Sequence, residues 1–153
     1  MKITLDIDET LSEQEIIIRC PAITEETMHL QKQISELLSK QMQLQVTKGD
    51  ADFYIPLHEI LFLETADNFV AVHTANQIYE SRERLYELEG ILPSAFMRVS
   101  KSTIIHTDKI RAIHKNITGA SEVEFIQSTK KAYVSRNYIK VLMQKLDEKR
   151  LKR

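Results

Sequence analysis

Three groups of polar residues lie at the ends of predicted β segments, where side chains can meet a ligand. These are Asn68 in a predicted turn, Ser100-Lys101-Ser102 after a predicted strand, and Arg136-Asn137 before the last predicted helix. Each group alone also has an ordinary structural explanation, because asparagine is common in turns and serine or asparagine often caps a helix. A binding role and a structural role are therefore both open.

A second pattern, at the amino terminus, suggests enzymatic chemistry. The run Ile3 to Leu11 contains Asp6-Ile7-Asp8 and resembles the first motif of haloacid-dehalogenase-type phosphatases, where one aspartate is the nucleophile and the other a general acid. Such enzymes also need a parallel sheet whose later strands help to hold Mg²⁺ and phosphate. The strands predicted after Gln43 are joined by short turns, which indicates antiparallel hairpins. A solvated acidic strand end is favoured, and a small phosphatase is kept as an alternative.

The sequence offers little for a metal or a nucleotide cofactor. The five histidines lack i, i+4 ligand spacing, the three glycines lie far apart, and Cys20 is the only cysteine. We therefore expect no cofactor, no metal site and no intrachain disulfide. Because there is no long apolar run and no signal-like amino terminus, we expect a cytoplasmic protein.

The charges are divided unevenly along the chain. Residues 1–95 hold 7 Lys and Arg against 17 Asp and Glu, whereas residues 96–153 hold 14 against 5. The division fits two ordinary solvated faces, and it also fits a surface in the second half that binds a polyanion.

The first 42 residues predict a small acidic ββα unit. Strands are expected at 3–7 and 15–20, and a helix capped by Thr24 should present Leu30, Ile34, Leu37 and Leu38 on one face. Two strands and one helix are too little for an independent core. We therefore expect this unit to mediate dimerisation or partner docking, and packing of its helix against the β unit of the same chain is the alternative.

From residue 43 the pattern changes to short strands separated by polar turns, with a short helix at 84–92 and a closing helix from about Asn137. The predicted fold class is mainly β with short helices. The predicted division is a ββα unit at 1–42, a β unit at 43–147 and a basic tail at 148–153.

Over about residues 44–146 the sequence resembles the LytTR (LytR/AlgR-type) family of DNA-binding domains. The matching landmarks occur in order, at residues 60–73, 85–88, 96–106, 110–113 and 132–138. Two positions depart from the family pattern. Ser100 stands where many members have histidine, which leaves a shorter side chain at one expected DNA contact. His106 stands where asparagine commonly ends the segment, at a position that we expect to be structural.

The resemblance implies an elongated arrangement of small β-sheets whose loops, rather than a recognition helix, enter successive major grooves of promoter DNA. It implies base contacts from Asn68, Lys101 and Arg136, and their side chains suit the acceptors and donors of base edges. Phosphate contacts are expected from Ser100, Ser102, Lys130, Lys131, Asn137 and Lys140. Members typically bind paired imperfect direct repeats.

The resemblance also bears on partners. About 43 residues precede the β unit, too few for the receiver domain of many members, so we expect a stand-alone member that is not controlled by aspartyl phosphorylation within this chain. Double-stranded DNA and a second copy of the chain are the expected partners, and some short members are restrained by a membrane protein. A pure protein-interaction module is the remaining alternative.

Overall fold

The computed structural model describes residues 2–12 and 14–149, with the backbone alone at 39–41; residues 150–153, most of the predicted basic tail, lie outside the described residues. Three helices and ten strands form in the described chain. Their order is α1 Glu25–Gln41, β1 Gln43–Lys48, β2 Ala51–Pro56, β3 Phe62–Thr65, β4 Val70–His73, β5 Ile78–Ser81, α2 Leu85–Ile91, β6 Phe96–Arg98, β7 Thr103–His106, β8 Ile110–His114, β9 Ser121–Phe125, β10 Lys131–Val134 and α3 Arg136–Lys149. The predicted mainly β fold is confirmed.

The strands form two sheets. Seven strands lie in the order β2-β1-β5-β4-β3-β7-β6, and a smaller sheet has the order β10-β9-β8. Each of these pairings is antiparallel. The described residues therefore contain no parallel sheet of the kind that the phosphatase alternative requires. The β1–β2 hairpin turns at Gly49, whose φ of 60° is readily adopted only by glycine.

The large sheet is buried on both faces at its centre, because all four residues of β4 and of β7 are buried. One core packs α2 through Leu88 against sheet residues such as Leu63 and Val72. The second core joins the large sheet to the small sheet and to Leu142 of α3. Stacking of Phe62 on Phe125, with ring centroids 5.3 Å apart, belongs to this second core. Both sheets and α3 are thereby fixed relative to one another.

The amino-terminal prediction was only partly right. Residues 3–7 and 15–20 form no strand, so the predicted ββα unit contains a helix alone. Alternating residues make a stable strand only beside a partner strand, and none pairs with these segments in the described chain. The helix is capped as predicted: the Thr24 hydroxyl accepts the Thr27 N–H at 3.2 Å, and the Thr27 hydroxyl accepts the Thr24 N–H at 2.9 Å.

None of the helices in the described part of the chain is long and apolar enough to cross a membrane.

Candidate nucleic-acid interface

Three connections lie side by side at one end of the two sheets. They are the β3–β4 loop, residues 66–69, the β6–β7 loop, residues 99–102, and the β10–α3 junction, residues 135–137. The Thr65 N–H donates to the Ser102 carbonyl at 2.8 Å, and the Ser135 N–H donates to the Val99 carbonyl at 2.9 Å. The β6–β7 loop is therefore joined by backbone hydrogen bonds to the end of β3, next to the β3–β4 loop, and to the β10–α3 junction. We call these three segments the loop surface.

The three predicted base-contacting residues all lie on the loop surface. Asn68 is exposed in the β3–β4 loop, which is closed by the Ala66 N–H donating to the Phe69 carbonyl at 2.9 Å. Lys101 is exposed in the β6–β7 loop, and Arg136 is exposed at the first residue of α3. The fold thus brings to one surface three side chains that are far apart in sequence.

Four of the predicted phosphate contacts also belong to this surface or adjoin it. Ser100 and Ser102 flank Lys101, and the Ser100 hydroxyl accepts the Ser102 N–H at 3.2 Å. Asn137 and Lys140 are exposed in the first turns of α3. The backbone N–H groups and dipole at such a helix start favour a nearby anion.

The other two predicted phosphate contacts lie elsewhere. Lys130 and Lys131 are at the opposite end of β10, six and five residues before Arg136, or roughly 15–20 Å along an extended strand. The Lys131 ammonium lies 2.9 Å from Glu122, and the hydrogen bond and charge of that carboxylate raise the pKa of Lys131. The structure does not bring these two side chains to the loop surface.

Lys130 is instead part of a contact between the two sheets. Its ammonium donates to the Gln77 carbonyl at 2.8 Å and lies 3.4 Å from Nδ1 of His73. His73 stacks on Phe62, with ring centroids 4.1 Å apart, and its Nε2 lies 2.9 Å from Glu64. Burial, and after it the Lys130 charge, lowers the pKa of His73, and burial also lowers the pKa of Lys130.

The two departures from the family pattern are accommodated differently. The Ser100 hydroxyl is used inside its own loop, so the loop does not depend on a longer side chain at that position. His106 is 4% exposed, packs against the Phe96 ring in a tilted arrangement, and accepts the Asp108 N–H at 3.3 Å. Burial lowers the pKa of His106 to about 4, so the ring is neutral at physiological pH. The predicted structural role of His106 fits this environment.

One cluster in the described residues has the composition of a metal site. Donor atoms of His114, Glu122 and Glu124 lie within 4.8 Å of one another on neighbouring strands of the small sheet. Ligand spacing along the chain did not reveal it, because β8 and β9 bring the residues together. Arg111 lies 3.0 Å from Glu124 and Lys131 lies 2.9 Å from Glu122. Both carboxylates are thus already neutralised by cations.

Sequence reasoning gave no role to Arg98, which lies in the family landmark at residues 96–106, or to Glu89, although both support the β6–β7 loop. The Arg98 guanidinium contacts two carbonyls of the β6–β7 loop and the Glu89 carboxylate of α2. No spacing rule links these residues, because they lie on different elements.

Comparison with known proteins gives a consistent result. The family model described as LytTr DNA-binding domain matches residues 50–147. The chain belongs to the LytTR family. A LytTr DNA-binding domain from Bacillus cereus superposes with a TM-score of 0.63 at 21% identity, covering 69% of this chain and 96% of that one. Proteins from Staphylococcus aureus strains NCTC 8325 and COL, each named an uncharacterized HTH-type transcriptional regulator, are 27% identical over 147 residues, covering 95% of this chain and 98% of their own.

Proposed function

We propose that this LytTR protein is a transcription regulator that binds double-stranded promoter DNA sequence-specifically through its loop surface. The observation that carries the proposal is that Asn68, Lys101 and Arg136 lie on the three adjacent segments of the loop surface. All three are exposed and each supplies hydrogen-bond donors. The relatives' description as transcriptional regulators supports the same function.

Each side chain suits a different part of the duplex. Arg136 can donate to O6 and N7 of one guanine, Lys101 can donate to the same kind of acceptor, and Asn68 can pair with adenine. Ser100, Ser102, Asn137 and Lys140 would bind phosphates on either side, which would fix register without reading sequence. Lys130 and Lys131 would reach phosphates only farther along the duplex.

A gel-shift titration of the full chain against its own upstream region, repeated at several salt concentrations, tests this function. Several Lys and Arg contacts to phosphate release counterions, so the affinity should fall steeply as salt rises. Arg111→Ala is a matched control, because this arginine pairs with Glu124 away from the loop surface. Binding that ignores salt, or no binding to any promoter fragment, would contradict the proposal.

We further propose that residues 1–42 join two copies of the chain, so that two domains are presented to paired repeats. Ten large apolar side chains between Ile3 and Met42 are 43–94% exposed in the described residues. They represent on the order of 1,000 Å² per chain, against the roughly 800 Å² that each partner gives to a standard interface. This segment has 8 acidic and 4 basic residues, which disfavours contact with DNA or an anionic membrane surface.

A second copy of the chain is the partner that fits most of the exposed apolar surface of residues 1–42. Segments 3–7 and 15–20 have the residues of strands, alternating in the first and rich in isoleucine in the second, and they lack a partner strand within the described chain. A symmetric copy supplies one. A dimer also raises the effective concentration of the second domain at a paired site. Light scattering should give twice the chain mass for the parent and one chain mass for Leu37→Glu/Leu38→Glu, which changes residues that are 60% and 45% exposed. A monomeric parent would contradict the dimer and leave this surface for another partner, such as a restraining membrane protein.

A further inference from the structure

A single guanidinium holds the loop that presents Lys101. Arg98 lies in β6, and its side chain is 22% exposed. Its Nε donates to the Ser100 carbonyl at 2.7 Å, one terminal nitrogen donates to the Lys101 carbonyl, and the other lies 2.8 Å from the Glu89 carboxylate. Two successive carbonyls of the β6–β7 loop therefore point inward to one rigid donor group.

We propose that Arg98 is a positioning residue that sets the sequence preference of the β6–β7 loop, and that Glu89 orients its guanidinium. This inference rests on the proposed function of Lys101 in reading bases. It assigns to Arg98 no contact with DNA, because each of the three guanidinium nitrogens already donates to a group within the protein. Its positive charge is also paired with Glu89, so attraction of phosphates does not explain its presence.

The geometry requires arginine rather than any cation. The guanidinium is planar, and its donors diverge at fixed angles that match two carbonyls and one carboxylate. A lysine ammonium at the same position is a compact charge on a flexible stem and cannot fix both carbonyls and Glu89 at once. The other hydrogen bonds of this loop leave the Ser100 and Lys101 carbonyls to Arg98. The Val99 N–H donates to the Thr103 carbonyl, the Ser102 N–H bonds to the Ser100 hydroxyl, and the Val99 and Ser102 carbonyls accept from Ser135 and Thr65.

Base preference distinguishes positioning from general support of the fold. Arg98→Lys should relax the preference at the same base pairs as Lys101→Ala, by about tenfold in affinity ratio, and leave the base pairs read by Arg136 unchanged. Once Lys101 is replaced by alanine, adding Arg98→Lys should cause no further relaxation. Glu89→Gln should give a smaller change at those base pairs. Arg111→Lys, an arginine on the small sheet, is the matched control and should leave the whole profile unchanged.

Amide hydrogen exchange of the full chain without DNA provides a readout that does not depend on DNA binding. In Arg98→Lys the Ser102 and Thr65 amides should exchange about tenfold faster, whereas the amides of β9 should keep the parent's rates. Unchanged exchange in the loop would overturn the inference. Faster exchange with no base preference in the parent would instead refute the proposed reading role of Lys101. Uniform loss of preference at every base pair, together with faster exchange in β9, would show that Arg98 merely supports the fold.

Discussion

Replacing His106 should remove much of the acid sensitivity of folding. His106 is 4% exposed, and burial lowers its pKa from 6.5 to about 4, with Lys109, Lys149 and His58 acting in the same direction and Asp108 opposing them. The neutral ring also accepts the Asp108 N–H, and that acceptor is lost on protonation. Below about pH 6.5 the His106 ring binds a proton in the unfolded chain but stays neutral in the folded chain. The free energy of unfolding therefore falls as the pH falls.

The size of the effect follows from the shift in pKa. The neutral ring contributes fully to the free energy of unfolding above pH 6.5, the pKa of His106 in the unfolded chain. This contribution is lost as the pH approaches 4. Linkage gives a loss of about 2 kcal/mol by pH 5 and about 3 kcal/mol at pH 4. The lowered pKa of His73 adds a loss of the same sign.

Urea unfolding of the parent and His106→Asn between pH 7.5 and 4 measures this difference. The variant should lose about 2 kcal/mol less than the parent between pH 7.5 and 5, whatever its stability at pH 7.5. His29→Asn, at an exposed position on α1, should follow the parent. If the pH dependence of His106→Asn ran parallel to that of the parent, the assignment of His106 as a buried neutral ring would be wrong.

Three further predictions concern the DNA contacts and the fold. Lys140→Ala should weaken binding to all sequences about equally and reduce the salt dependence by about one counterion, measured by gel shift; a changed base preference would contradict its phosphate role. Gly49→Ala should lower the free energy of unfolding in urea by about 1 kcal/mol, because alanine must adopt the same positive φ. A steric clash is not the cause, since no atom lies within 4 Å of the added carbon. An unchanged unfolding midpoint would refute the turn geometry. Leu142→Ala should lower the free energy of unfolding by about 2–5 kcal/mol in the same assay, because it removes a fully buried contact between α3 and the small sheet. A loss below 1 kcal/mol would contradict the packing of the second core.

Much of the β fold could be predicted because several strands are covered on one face only. In β9, for example, Val123 and Phe125 are buried while Glu122 and Glu124 alternate with them. The strand β7 was missed, since all four of its residues are buried and alternation is absent. The strands predicted at 3–7 and 15–20 show the opposite error. A strand-like sequence describes what a segment can do beside a partner strand and does not supply that partner.

The sequence could nominate candidate site residues, but it could not predict which residues contact one another. Family resemblance pointed to Asn68, Lys101 and Arg136, and the fold places them on one surface. The ammonium of Lys130 meets a carbonyl 53 residues away in the chain, a contact that no local pattern encodes. The support of the β6–β7 loop by Arg98 and Glu89 likewise depends on how α2 lies against β6.

Binding-site selection from a random duplex library, with the full chain and with Arg136→Ala, tests the central claim most directly. The parent should select a defined sequence, and Arg136→Ala should select the same sequence with one or more guanine positions relaxed and an affinity lower by about 1–3 kcal/mol. An identical consensus for both proteins, or no consensus for the parent, would contradict sequence reading through the loop surface.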